Sequence, residues 1–221
     1  MNEKIRSHVM TIALFAVFLV LSLDLQANTE KQWQFRVFLD DKEIGYHKVR
    51  LSPEEDGRRV SVEAKFDVKF FFITAYRYDH QTEEFWEGAC LRDIQSRTDN
   101  NGEQLFIRKQ AEGNNFTLET HDGQQELQGC VRSFAYWDPE LLKTSRLLNT
   151  QTGEYQDVEI IELGDSPIEI EGRMVEAVQY RLMIEGSSID LWYTTDMNWL
   201  ALQSITEGGY RLSYYPAGEA F

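Results

Sequence analysis

The sequence predicts a mainly all-β fold, a curved antiparallel sheet or half-barrel with one short helix. Three observations carry this. Apolar and polar residues alternate over long runs, which marks strands with one buried and one wet face. Turn-forming clusters of Gly, Pro, Asn and Asp recur at roughly 8–20 residues, the cadence of successive hairpins. Helical signals surface at one place only. Composition agrees. Of 221 residues, 42% are hydrophobic and 13% aromatic, and 2 are Cys. That excludes a disordered chain and a disulfide-dense miniprotein. The net charge of -15 argues against nucleic acid as a partner, because phosphates repel an acidic surface.

The elements follow in order. Residues 1–27 carry Lys4 and Arg6, an apolar run from Ile12 to Leu23, and the exit Leu25-Gln26-Ala27. The run is about a dozen residues, where a membrane span needs about 20. The order is that of a cleavable secretory signal. The alternative is an uncleaved N-terminal anchor. The mature chain, residues 28–221, is expected to be soluble and periplasmic, with no transmembrane segment, and to form a single antiparallel β domain. Trp33, Phe35, Val37 and Leu39 alternate with polar residues. So do Val60, Val62, Ala64, Phe66 and Val68, in a run that continues through Phe70, Phe72, Tyr76 and Tyr78. It reads as one unusually long strand that must bend or bulge. Late strands are predicted over Val158–Leu163, Ile168–Ile170, Met174–Ile184, Ile189–Thr194, Leu200–Ile205 and Tyr210–Tyr214.

The helical signal is Asp138-Pro139-Glu140-Leu141-Leu142, a capping Asp followed by Pro at the first helical position. Leu141, Leu142, Arg146, Leu147 and Leu148 would line one side of a helix of about two or three turns ending near Asn149. Cys90 and Cys130 are the only thiols. In an exported chain they read as a disulfide closing a loop of about 40 residues. A redox pair is the alternative, without the support of a Cys-x-x-Cys motif.

Chemistry-bearing motifs are scarce. Gly-x-Ser-x-Gly, a Gly-rich phosphate loop and His-Glu-x-x-His are all missing from the sequence. One constellation stands out, Asp79-His80-Gln81-Thr82-Glu83-Glu84. On a strand, His80, Thr82 and Glu84 share one face, and Asp79 and Glu83 share the other. His80 and Glu84 could form an acid/base pair or bind a metal, but a second His at ligand spacing is lacking. No catalytic residue, metal site or cofactor is therefore assigned.

Aromatic residues cluster at Phe70-Phe71-Phe72, Tyr76, Tyr78, Phe85-Trp86, Tyr136-Trp137 and Trp192-Tyr193. Core packing explains most of them. A lined apolar cavity and a sugar-stacking platform are the rival readings. The Phe70–Ile73 run is apolar on both faces and calls for a cover, which the Asp138–Leu148 helix would supply.

Several segments carry a resemblance. They include Phe35–Asp40 with Ile44-Gly45, Gly88-Ala89-Cys90-Leu91 and Phe134-Ala135-Tyr136-Trp137-Asp138-Pro139. Leu147–Glu154, Ile189–Tyr193 and Trp199–Leu202 complete the set. Together they resemble an uncharacterised family of exported Gram-negative proteins, domain of unknown function 6134. That resemblance implies location and assigns no activity. More remotely, long curled strands and a single helix are similar in architecture to LolA-type lipoprotein carriers. Those are open half-barrels with a helical plug that bind acyl chains. This likeness bears on fold and only weakly on function.

The leading expectation is a periplasmic protein that binds or carries a lipid or other hydrophobic small molecule without covalent chemistry. Phe70, Phe72, Tyr76, Trp86, Trp137 and Trp192 would line its concave side. One alternative is a cell-envelope hydrolase using Glu83, Glu84, Asp190 and His80 beside Trp137 and Trp192. Another is an assembly factor that pairs with a protein partner through a sheet edge.

Overall fold

The computed structural model describes residues 29–70, 73–112 and 115–218. The predicted export signal, 1–27, and Phe72 lie outside the described residues, as does the Phe70 side chain. Among the described residues seventeen strands follow in chain order. The first eight are β1 (Lys31–Leu39), β2 (Lys42–Glu54), β3 (Gly57–Phe70), β4 (Ile73–Glu87), β5 (Cys90–Asn100), β6 (Glu103–Glu112), β7 (Asn115–Thr120) and β8 (Gly123–Leu127). Then come β9 (Arg146–Leu148), β10 (Tyr155–Asp157), β11 (Glu159–Asp165), β12 (Ile168–Ile170) and β13 (Arg173–Val175). The last four are β14 (Val178–Ile184), β15 (Ser187–Tyr193), β16 (Trp199–Ile205) and β17 (Arg211–Pro216).

Thirteen of them form one sheet in the order β11-β14-β15-β16-β17-β1-β2-β3-β4-β5-β6-β7-β8. Its ladders are antiparallel, and its two ends, β11 and β8, are not paired with each other. The pairing register slips at Val37/Phe38, Val68/Lys69, Phe85/Trp86 and Trp192/Tyr193. Such bulges sharpen local twist and curl a long sheet. Tight turns join neighbours. At Asn101-Gly102 both residues have positive φ, 55° and 98°, as a two-residue hairpin with the right twist requires.

Two of the expected strands are corrected. The long run through Phe70 to Tyr78 is not one strand. It is a hairpin in which Phe70 pairs with Ile73 and Ala64 with His80. The inward residues are even-numbered on both arms, so alternation runs through the reversal unbroken. The Met174–Ile184 run is also two strands, β13 and β14. The chain leaves one sheet for another at Glu176-Ala177, where the Ala177 carbonyl accepts from Ser166 N at 2.8 Å.

Residues 128–158 connect the two free ends of the sheet by crossing its concave side. The predicted helix here is reduced to a single 3-10 turn, Pro139–Lys143. Asp138 caps it as expected, accepting from Glu140 N. Five residues are too few to sustain a helix, and the chain extends again from Thr144. Leu147 and Leu148 then lie in β9, paired with β10. The Asn149 side chain accepts from the Gln151 and Thr152 amides to shape the intervening turn. The segment is thus a non-helical plug, and it covers the far end of the sheet from the Phe70–Ile73 reversal.

Several contacts fasten the plug. The disulfide Cys90–Cys130 forms, and Leu91 N donates to Val131 O at 2.8 Å. Ser96 Oγ donates to Thr150 O, Gln125 Nε2 to Gly153 O, and Tyr193 Oη to Tyr136 O. The main core lies between sheet and plug. A second, smaller core lies on the outer face, where the β12–β13 hairpin covers Trp192, Leu200 and Ala201. Covering on both faces explains the continuous burial of Trp199–Leu202.

Candidate functional site

The curled sheet and the plug enclose a cavity of about 960 Å³, at the upper end of ligand-pocket sizes. Its floor is aromatic. Trp137 of the plug meets Trp86 of β4 edge-on, with ring centroids 5.4 Å apart, and Trp33 of β1 at 6.4 Å. Arg58 clamps this end. Its guanidinium lies 4.7 Å from the Trp137 ring centre and donates to Asp138 and to Gly88 O, both at 2.7 Å. The walls are Val49, Val62, Ala64, Phe66, Leu202 and Tyr214. The mouth lies at the opposite end, among Val68, Tyr76 and Asn100 on one side and Glu185, Glu207 and Tyr210 on the other. There Tyr76 Oη donates to Asn100 Oδ1 at 2.7 Å.

A line of polar side chains descends the inner face of β4. His80 Nδ1 lies 2.8 Å from Thr98 Oγ1, and its Nε2 lies 2.8 Å from Thr82 Oγ1. Below them the Glu84 carboxylate accepts from Trp86 Nε1 at 2.7 Å. Burial shifts each titrating group toward its neutral form. Desolvation pulls His80 down from 6.5 to about 4, against a smaller opposing pull from Asp79. It pushes Glu84 up from 4.5 to about 7, although the Trp86 hydrogen bond works the other way. His47 of β2 sits two strands from His80, across Ala64. Desolvation, then His80, pulls it down from 6.5 to about 3. Its ring nitrogens are shielded and unpartnered among the described residues. The ring stands edge-on to Trp199 and Tyr214, at 5.8 and 5.4 Å.

The predicted lining residues divide. Tyr76 and Trp137 line the cavity. Trp86 is 1% exposed and packs beneath Trp137, as floor rather than lining. Trp192 is on the opposite face of the sheet, in the outer core, because strand parity turns it away from its neighbour Tyr193. The Phe70 side chain and Phe72 lie outside the described residues. His80, Thr82 and Glu84 do share the concave face. The carboxylates of the hydrolase alternative do not converge. Glu84 points in, Glu83 is exposed, and Asp190 lies outside in an ion pair with Arg181 at 2.6 Å. The edge strand β11 carries Glu159, Glu162 and Asp165, charges of the kind that discourage edge-to-edge pairing. Sequence reasoning missed His47, Ala64, Leu202 and Tyr214 as lining. For His47 a signal existed, its pairing opposite Phe35 in the first hairpin.

Among the described residues no three His, Cys, Asp or Glu side chains are placed to hold a metal. No helix among them is long and apolar enough to cross a membrane.

Fold and cavity together define a β-barrel-like protein, an open curled sheet closed at one end by an internal plug. The chain belongs to the family described as domain of unknown function DUF6134, whose model matches residues 35–217. No curated protein matches it significantly. Among solved structures it is similar to a β-barrel-like protein of domain of unknown function DUF1849 from Brucella abortus. The TM-score is 0.61 at 10% identity, over 86% of this chain and 97% of that one. At that identity the likeness is one of fold.

Proposed function

We propose that this chain is an exported, periplasmic protein that binds or carries an apolar or amphiphilic ligand inside the cup. One observation carries the reading. The 960 Å³ cavity opens at one end and is walled largely by aliphatic and aromatic side chains, with polar groups contributed by β4, by the plug and by the mouth. Such a cavity suits a ligand with an apolar body and a small hydrogen-bonding part. The apolar walls gain by being covered, at about 25 cal/mol per Å². The predicted export signal supports the location.

The test is native mass spectrometry of chain purified from a periplasmic extract, followed by organic extraction of what it carries. The expected result is a non-covalent adduct that denaturation releases. Ala64→Phe, which places a ring in the cup, should abolish the adduct while leaving the far-UV circular dichroism of a β protein. A chain that carries nothing and takes up no fluorescent apolar probe would refute the reading.

A further inference from the structure

The cup's lining is charged in one sense only. Among the described residues that line it there is no Lys and no Arg, whereas Glu84, Glu185 and Glu207 all line it. Glu185 and Glu207 are exposed at the mouth. Glu84 is different, for it is only 4% exposed. Its Oε2 is occupied by Trp86 Nε1, but Oε1 takes no hydrogen bond from a described residue. The elements packed around this carboxyl bring no cation. Val60 faces it from β3 and Ile94 from β5, both buried and apolar. On β4 itself the neighbours are Thr82 and a His80 held neutral. The guanidinium on the same face of β3, Arg58, is held at the floor by Asp138 and Gly88 O through Nη2, and its buried Nε meets no acceptor, Glu84 included.

We propose that the cup takes a cationic amphiphile, an apolar body ending in one ammonium group that donates to Glu84 Oε1. This rests on the binding reading above and adds the charge of the ligand. The physics is one of exclusion as much as attraction. A carboxylate or phosphate end would pass two carboxylates at the mouth and meet Glu84 within, with no Lys or Arg along the lining to offset its desolvation. An ammonium end gains a charge-assisted hydrogen bond to the free oxygen. The exposed glutamates at the mouth favour the approach of the same sign of charge.

Dodecylamine, dodecanol and dodecanoate share one apolar body and differ in the charged end. Their affinities for the mature chain are measured by calorimetry at about pH 8, where ammonium and carboxylates are charged. The expected order places dodecylamine about tenfold or more ahead of dodecanol, with dodecanoate last. Glu84→Gln keeps an acceptor for Trp86. It should bring the amine to within about twofold of the alcohol, lowering the amine far more than the alcohol, whose hydroxyl gains less from a charged acceptor. Dodecanoate binding as tightly as dodecylamine would overturn the proposal without any variant. So would an amine preference that survives Glu84→Gln and falls only in the Glu185→Gln/Glu207→Gln pair. Alcohol binding with no amine preference defeats this inference and leaves the cup reading standing. If none of the three binds, both fall.

Discussion

Replacing Glu84 by Gln should change how stability depends on pH, and the sign follows from the site. In the folded chain this carboxyl titrates at about 7 against an ordinary 4.5, because burial penalises its charged form. A folded pKa above the unfolded one means the native state binds the proton more tightly. The stability it confers is fully present below 4.5 and is lost as pH rises through 7. At about 1.4 kcal/mol per unit, the loss is about 3 kcal/mol by pH 8. His47 and His80 act in the opposite sense. Their folded values, about 3 and about 4, lie below the ordinary 6.5. The stability they confer is present above 6.5 and falls as the solution is acidified. A wild-type profile therefore mixes both effects.

The difference between wild type and Glu84→Gln removes the histidines from the comparison. Urea unfolding at intervals from about pH 4 to 8, followed by tryptophan fluorescence, gives that difference directly. Relative to the variant, the wild type should lose about 3 kcal/mol across the range, most of it between 4.5 and 7. Two curves that run parallel to within about 0.5 kcal/mol would show that the carboxyl is not held in an apolar environment. The reasoning about the cup's inner wall would then be wrong.

Three other outcomes are expected. Replacing Cys90 and Cys130 together by Ser should cost about 4 kcal/mol on the chain-entropy model for a 40-residue separation, read from denaturation midpoints; an unchanged midpoint would show that the plug needs no staple. Trp137→Ala should cost about 3–5 kcal/mol, because the ring is 6% exposed between Trp33, Trp86 and Arg58; a loss below about 1 kcal/mol in the same assay would remove it from the floor. Gly45→Ala should destabilise by about 1–3 kcal/mol, since a Cβ there would lie 1.9 Å from Lys65 O; a thermal midpoint equal to wild type would refute that close approach.

The sheet was legible because period two is a local property. Trp33, Phe35 and Val37 are inward, as their alternation indicates, and β12 begins and ends where the sequence places it. Parity also put His80, Thr82 and Glu84 on one face. What alternation cannot reveal is a reversal that preserves parity, and the β3–β4 hairpin is such a case. Nor can it say which apolar face meets which layer. Trp192 and Tyr193 are consecutive aromatics, one under the outer hairpin and one under the plug, and only the presence of both layers distinguishes them. The Asp138–Leu148 stretch of the plug was read as a longer helix because its N-cap, Asp138 before Pro139, is genuine while its length is set by tertiary contacts. Trp86, two residues beyond Glu84 on the same face, was the overlooked clue that this carboxyl would be buried with a partner.

Titration and binding at Glu84 are linked, which gives a test that needs no variant. If an ammonium group occupies Oε1, the bound state favours the ionised carboxyl, and binding must release the proton that Glu84 holds below about 7. Affinity for dodecylamine should then rise as pH increases from about 5 to 8, and far more steeply than affinity for dodecanol. The same linkage acts on stability. Below 4.5 the carboxyl is protonated in both states and the amine gains little from it. Above 7 the amine offsets a charge that the empty cup holds at a cost, so it should raise the unfolding midpoint more at pH 8 than at pH 5. Calorimetry in two buffers of different ionisation enthalpy measures the released proton. An amine that binds at pH 5.5 without releasing one has not met Glu84, and its site would have to be sought at the mouth, beside Glu185 and Glu207.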